Sequence, residues 1–289
     1  MTAMLNLADI GELSGGKIGR FDVSCPTCGP TCLSAVNQRR RVLRIWHLEP
    51  SFATFKCARC EIEGYAHDRT VARADPSAIE RARDEAKERQ RLEDLESLKK
   101  ARWLWASRKP IKGSIAETYL RACRGYRGHL PDTLGFLPAR GVHCPAMIGA
   151  FGRARDTCPG EMVIDDAAVS GVHLTKLMPD GSDKAGTDAD KLTIGTSNRS
   201  PIILAPVDDG LGLSITEGIE DALSVHEATG LAAWAAGTAG RLPAMAEAVP
   251  GYVESVTVMV DEDENGRKNA NELARRLTER GMEVLMVRP

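Results

Sequence analysis

Leu211-Gly-Leu-Ser-Ile-Thr216-Glu217-Gly218 and Val256-Thr-Val-Met-Val260-Asp261-Glu262-Asp263 are two short apolar runs, each ending on acidic residues. Residues 211–216 and 256–260 predict strands. A helix is expected from Gly218 through Glu227. A third strand follows at 231–235, then Gly237-Thr238-Ala239-Gly240 and a helix to about Val249. Residues 267–280 predict another helix and 283–287 a fourth strand. Strands alternating with helices of this length imply a parallel sheet with right-handed crossovers. Ligands of such sheets bind outside the carboxyl ends of the strands, where Glu217, Asp261 and Asp263 fall. Asp261 and Asp263 are two apart and share a side of an extended segment, with Glu217 facing them from a neighbouring strand. Three converging carboxylates repel, and Mg²⁺ or Mn²⁺, which take oxygen ligands, would relieve the repulsion. Gly218, Gly237 and Gly266 leave the rim open. The plainer alternative is that 261–266 is only an acidic turn.

The other end of the chain carries a different pattern. Cys25-Pro-Thr-Cys28 and Cys57-Ala-Arg-Cys60 are two C-x-x-C pairs separated by residues 29–56. Two such turns supply four sulfurs for a structural Zn²⁺, and the gap has room for strands at 42–46 and 52–55. Cys32 and His47 are competing ligands, and a redox-active C-x-x-C is the alternative chemistry. Cys123, Cys144 and Cys158 are isolated, and His143-Cys144 is half a metal site with no second half. Arg39, Arg40, Arg41 and Arg44 lie between the cysteine pairs and suit nucleic-acid phosphates. A protein-binding zinc module is the alternative.

Charge follows the same division. Residues 17–60 carry eight basic against two acidic side chains, and residues 201–289 seven against fifteen, within a net charge of −2 over 289 residues. The basic part suits a polyanion and the acidic part bound cations, unless both are merely solvated surfaces. With 43% hydrophobic and 27% charged residues the chain is not disordered. No apolar run reaches the ~20 residues of a membrane span, and the N-terminus lacks a signal-peptide pattern, so a cytoplasmic protein is expected. Aromatics, at 4%, are too few for a wall of base-stacking rings. Gly11 to Lys17 matches G-x-x-x-x-G-K, but Ile18 stands where a phosphate loop needs Ser or Thr.

Between the two ends, Asp75-Pro76 reads as a helix start, and 77–107 as a charged spacer helix with a thin stripe of Ile79, Ala82, Ala86, Leu92, Leu95, Leu98 and Trp105. Ser114-Ile-Ala-Glu117 is a capping box for a helix to about Cys123. Strands are expected at 146–151, 169–178 and 201–205. Lys176, Lys184, Lys191 and Arg199 give this region a basic face.

The runs Ile215-Thr-Glu217-Gly-Ile-Glu-Asp221-Ala-Leu, Ala236-Gly-Thr-Ala-Gly240 and Val260-Asp261-Glu-Asp263-Glu-Asn-Gly266-Arg267 resemble a Toprim domain, the module of bacterial replicative primases, type IA and II topoisomerases, OLD nucleases and RecR-type mediators. With Val172-His173-Leu-Thr-Lys176, Lys184 to Lys191 and the run Glu217 to Leu223, the chain after residue 20 is similar to the primase-like proteins of phages and plasmids, most strongly at the Toprim and cysteine motifs. The resemblance implies α+β and α/β multidomain architecture: a zinc-ribbon domain at 1–72, a linker helix at 73–108, a basic primase-like subdomain at 109–210 and a Toprim domain with a parallel four-stranded sheet at 211–289. It implies that Glu217, Asp261 and Asp263, with Asp221 contributing, hold catalytic Mg²⁺ or Mn²⁺, while Cys25, Cys28, Cys57 and Cys60 hold Zn²⁺. The arginines named above and Lys176, Lys184, Lys191 and Arg199 would contact nucleic acid or nucleoside triphosphates (NTPs). The expected activity is primer synthesis on single-stranded DNA, with any helicase supplied separately because the chain stops after the fourth strand. The rivals are a RecR-like binding or regulatory module and a metal-dependent nuclease. For a nuclease base, His226 is the nearest histidine, read as a structural mid-helix residue.

Overall fold

The computed structural model describes residues 5–32, 35–68, 76–197 and 199–288. The chain forms two compact units, Met1–Gln90 and Arg91–Pro289.

In the first unit, helix α1 (Leu7–Ser14) starts at a reciprocal cap. The Asn6 side chain accepts the Asp9 N–H at 2.9 Å, and the Asp9 carboxylate accepts the Asn6 N–H at 2.8 Å. Gly15, in the left-handed region, ends it. Gly16 and Lys17 therefore follow a helix instead of opening one, the reverse of a phosphate loop. An antiparallel sheet of β1 (Gly19–Ser24), β2 (Arg41–Glu49), β3 (Phe52–Cys57) and β4 (Glu63–His67) follows in that spatial order, with α2 (Ala35–Arg39) between β1 and β2. Ala53, Phe55 and Cys57 alternate inward along β3 and meet Leu43, Ile45 and α1's Ile10 in one small core.

Helix α3 (Pro76–Ala106) has 31 residues, about 46 Å at 1.5 Å each. Its expected N-cap, Asp75, lies outside the described residues. Charged residues dominate most of its length, but its last turns bury Ala101 and Trp105 against Ala146, Ile148, Ala150 and Val172.

The second unit continues with α4 (Ile115–Thr118), which passes into a wider turn at Tyr119–Cys123. Ser114 caps α4 as expected, accepting the Glu117 N–H at 3.4 Å. Then come β5 (Leu134–Leu137), β6 (Ala146–Phe151), a hairpin of β7 (Ala154–Cys158) and β8 (Glu161–Ile164), β9 (Gly171–Lys176) and β10 (Lys191–Gly195). Strands β10-β9-β6-β5 form an antiparallel sheet.

The last sheet contains β11 (Ile202–Ala205), β12 (Gly212–Thr216), β13 (Ala232–Ala235), β14 (Ser255–Met259) and β15 (Glu283–Val287), ordered β11-β13-β12-β14-β15. The four expected strands are mutually parallel. The fifth, β11, joins antiparallel at the β13 edge. Helices α5 (Ile219–Thr229), α6 (Leu242–Met245) and α7 (Glu264–Glu279) connect them. The expected helix to Val249 shrinks to α6 and a preceding 3₁₀ turn, Ala239–Arg241.

Alternation along the strands builds two cores. Leu213, Ile215, Trp234, Val256 and Val258 pack with Ala270, Leu273 and Leu277 of α7. Ala233, Ala235, Ile202 and Leu204 pack with Ile219, Ala222 and Leu223 of α5 and with Tyr119 and Phe151. Neighbouring strands β12 and β14 thus send their following helices to opposite faces. The connections part there and leave a crevice at the carboxyl ends.

Ile215 is fully buried in β12. Ile215→Ala is expected to cost about 2–5 kcal/mol through lost burial and the cavity left behind, read as a lower urea midpoint at unchanged slope.

Candidate metal centres

Four sulfurs meet in the first unit. Cys25 Sγ lies 3.8 Å from Cys60 Sγ and Cys28 Sγ 3.7 Å from Cys57 Sγ, with all four within 4.8 Å of one another. A disulfide would need about 2.05 Å. A tetrahedron with Zn–S bonds of about 2.3 Å has edges of about 3.8 Å, so the spacing fits Zn²⁺. Burial pushes the Cys28 and Cys60 thiols up, a cost that a bound cation removes. Backbone turns shape the cluster: Gly29 N–H reaches Cys25 O at 2.8 Å, and Arg59 N–H reaches Cys57 Sγ at 3.4 Å.

Neither competing ligand belongs to the cluster. Cys32 Sγ sits 3.2 Å from Cys28 O and accepts a 2.7 Å hydrogen bond from the Arg59 guanidinium, which also donates to Asn37 O. Cys32 and Arg59 therefore brace the knuckles. His47 is buried in β2 opposite Gly19, and among the described residues neither ring nitrogen has a hydrogen-bond partner. Of the expected phosphate-binding arginines, Arg39, Arg40 and Arg41 are exposed, and Arg44 grips Asp22 at 2.8 and 3.0 Å.

The second centre lies in the crevice between β12 and β14. Backbone pairing extends past β12, with Ala236 N–H to Thr216 O at 2.9 Å and Gly237 N–H to Glu217 O at 2.8 Å, which fixes Glu217 at the rim. Gly237 adopts φ +81°, and a Cβ there would lie 2.9 Å from the Phe151 ring. On the neighbouring strand, Val260 N–H bonds Val287 O, and Asp261 follows. The Asp261 carboxylate is near enough for its charge to act on Glu217. Burial first, then the Asp261 carboxylate, push the Glu217 pKa up to about 7.

Asp263 behaves differently from the extended-segment expectation. Helix α7 begins at Glu264, and Asp263 is its N-cap, accepting the Gly266 N–H at 2.6 Å. A Cβ on Gly266 would lie 2.8 Å from Asp261 Cβ, so the helix start needs glycine there. One Asp263 oxygen is thereby committed, although its charge still reaches Glu217. Among the described residues, the four sulfurs are the one group of three or more ligating side chains that closes to within 4.8 Å, and the carboxylates approach without closing that far. Asp221, in the first turn of α5, has its pKa raised by burial and then by Glu220 and Asp261.

Glu220 anchors a network beside these carboxylates. It accepts the Tyr119 hydroxyl at 2.9 Å, and it pairs with Lys184 at 3.6 Å and Lys191 at 3.7 Å. Arg124 donates to the Tyr119 oxygen at 2.9 Å. Burial opposes ionisation of Glu220, yet Lys191, Lys184 and the Tyr119 hydroxyl outweigh it and hold its pKa below the ordinary range. Lys191 also stabilises the Glu217 anion. His173, buried in β9, is held neutral with a pKa of about 4, by burial and then by Lys191, Arg241 and Lys184 against the opposing pull of Glu220.

Lys184 and Lys191 are therefore brought to the centre. Lys176 reaches Thr187 and Arg199 pairs with Glu247, and neither makes an ion pair or hydrogen bond with the carboxylates. The sequence assigns no role to Glu220, Tyr119, His173 or Arg241, although Glu220 and His173 lie within the runs Glu217–Leu223 and Val172–Lys176 that carry the resemblance. His226 is structural, its Nδ1 2.7 Å from Leu231 O.

A family model described as a Toprim domain matches residues 212–289. Residues 212–289 are a Toprim domain. A second model, described as a domain of unknown function (DUF7146), matches residues 96–204, from the buried end of α3 into β11. Comparison with curated proteins gives no match. Among solved structures, the crystal structure of the Aquifex aeolicus primase (zinc binding and RNA polymerase domains) is similar at 15% identity and TM-score 0.39, covering 99% of this chain and 77% of that chain. No helix among the described residues is long and apolar enough to cross a membrane.

Cys57→Ser is expected to abolish stoichiometric zinc, measured by elemental analysis, and to unfold the surrounding sheet. The Toprim carboxylates predict a pH effect. The folded Glu217 pKa of about 7 exceeds its ordinary 4.5, so the native state binds the proton more tightly, and metal-free stability falls as pH rises between these values. In thermal melts without divalent ions, Glu217→Gln should melt above the wild type at pH 8, with the gap closing by pH 5. Mn²⁺ should raise the wild-type melting temperature more than that of the variant.

Proposed function

We propose that this chain is a primase-like nucleotidyltransferase that joins nucleoside triphosphates into short primers on single-stranded DNA, of the kind found in phages and plasmids. The observation that carries the reading is the Glu217–Asp261 pair, forced together at adjacent strand ends of a Toprim domain with Lys191 beside it. Glu217 and Asp261 would hold divalent ions, with Asp221 and the uncommitted oxygen of Asp263 completing the donor set. When bound, two such ions supply charge neutralisation for the triphosphate and alignment for in-line displacement. Lys184 and Lys191 are held by Glu220 at distances longer than a hydrogen bond, which orients them and leaves N–H groups for phosphate oxygens. The four-cysteine module, with Arg39, Arg40 and Arg41 exposed, would hold the template. A separate helicase would open the duplex.

A nuclease on the same carboxylates often needs an extra general base, and neither His173 nor His226 is placed to supply it. His173 is buried with its pKa near 4, and His226 is bonded to a backbone carbonyl.

The test is incubation with single-stranded DNA, labelled NTPs and Mg²⁺ or Mn²⁺, alongside Asp261→Ala. Short labelled products are expected, falling by roughly 10²–10³-fold in the variant. DNA binding without products would replace this reading with a binding module, and a shortened template with a nuclease.

A further inference from the structure

A cavity of about 600 Å³ opens in the second unit, between the end of α3, α4 and the loop before β5. Its walls carry five cations, Arg108, Lys109, Lys112, Arg121 and Arg153, against two carboxylates, Glu117 and Asp132. The size falls within the range of small-ligand sites, about 300–1,000 Å³.

Each arginine is held both by a neutral acceptor and by a carboxylate. Arg121 donates to the carbonyl oxygens of Tyr126 and Gly128 at 3.0 and 2.8 Å. Arg153 donates to Asp132 O at 2.8 Å. Arg108 donates to Trp105 O at 2.8 Å and lies 3.8 Å over the Trp105 ring. A carbonyl or a ring orients a guanidinium without cancelling its charge. One carboxylate outside the lining, Asp166, serves both Arg153 at 2.6 Å and Arg108 at 3.5 Å. Glu117 is divided between Arg121 at 3.5 Å and the Gly113 N–H at 2.7 Å. Lys109 and Lys112 are exposed, and among the described residues no ion pair holds either. Five cations against three carboxylates, Glu117, Asp132 and Asp166, leave an excess of positive charge on a concave surface. Ile111, Leu130 and Leu134 add an apolar wall.

We propose that this cavity binds a nucleotide unit, its phosphate against the Lys109 and Lys112 side of the cationic wall and its base against Ile111, Leu130 and Leu134. The unit is either a free nucleotide or one nucleotide of a single strand. The site is separate from the Toprim carboxylates. Glu117 and Arg121, four residues apart, face the cavity, whereas Tyr119 between them turns to Glu220. An occupant would touch the helical turn that braces the Glu220 network without touching Glu217 or Asp261. The proposal needs no metal, so it stands or falls independently of primer synthesis.

The full-length, zinc-loaded protein, with no Mg²⁺ or Mn²⁺ added, is titrated with a fluorescent ATP analogue and, separately, with a fluorescent deoxytrinucleotide, and anisotropy is read. Wild type binds at least one probe. Lys109→Ala/Lys112→Ala weakens that binding roughly tenfold, whereas Lys109→Arg/Lys112→Arg keeps it, as loss and retention of surface cation–phosphate contacts require. The probe that loses affinity identifies the source, free nucleotide or strand. Both lysines are exposed, and circular dichroism confirms that the variants fold. Absence of binding by either probe, or equal binding by wild type and the alanine pair, overturns the proposal.

Discussion

Strands β12 and β14 are hydrogen-bonded parallel neighbours, and each delivers a carboxylate as it ends. Left to themselves, Glu217 and Asp261 would separate. The pairing of Leu213 with Val256 and of Ile215 with Val258, all buried, does not let them. Hydrophobic burial within the sheet thus holds like charges near each other, and burial first, with the Asp261 charge second, raises the Glu217 pKa well above the usual carboxylate range. A site that strains against its own charge is one that a divalent cation can relax.

The rest of the second unit is arranged around that strain. Helices α5 and α7 leave by opposite faces of the sheet and bring their N-termini, where backbone N–H groups favour anions, to the crevice. The antiparallel sheet covers the α5 side and contributes His173 from β9 and Lys191 from β10, while Lys184 comes from the turn between these strands. Glu220 binds both lysines and Tyr119, so one buried anion fixes the position of two cations beside the carboxylates.

What the sequence reveals follows the range of the interactions. The four cysteines are legible because each C-x-x-C pair is a local turn, and the parallel strands because buried β-branched runs carry their own signature. Asp263 is misplaced in a purely extended reading because helix α7 starts at Glu264, ahead of the expected residue 267, and converts one member of D-x-D into a cap. Glu220 resembles any acid in the first turn of a helix until Lys184 and Lys191 arrive from more than 25 residues away in sequence. Strands β7 and β10 lack a continuous apolar pattern, β5 and β8 are only four residues long, and β1 and β4 are flanking strands rich in polar residues. The pairing of β11 with β13 is a tertiary choice that neither strand announces.

That last pairing bears on how the protein can be dissected. The family match begins at residue 212, but Ile202 and Ile203 already pair with Ala235 and Trp234. A fragment cut at 212 would lose its outermost strand, expose the N–H and C=O groups along β13 and uncover the alanine face that Ile202 and Leu204 shield. Expressed that way, the piece would be prone to edge-to-edge association, so a workable excision must carry the preceding strand along.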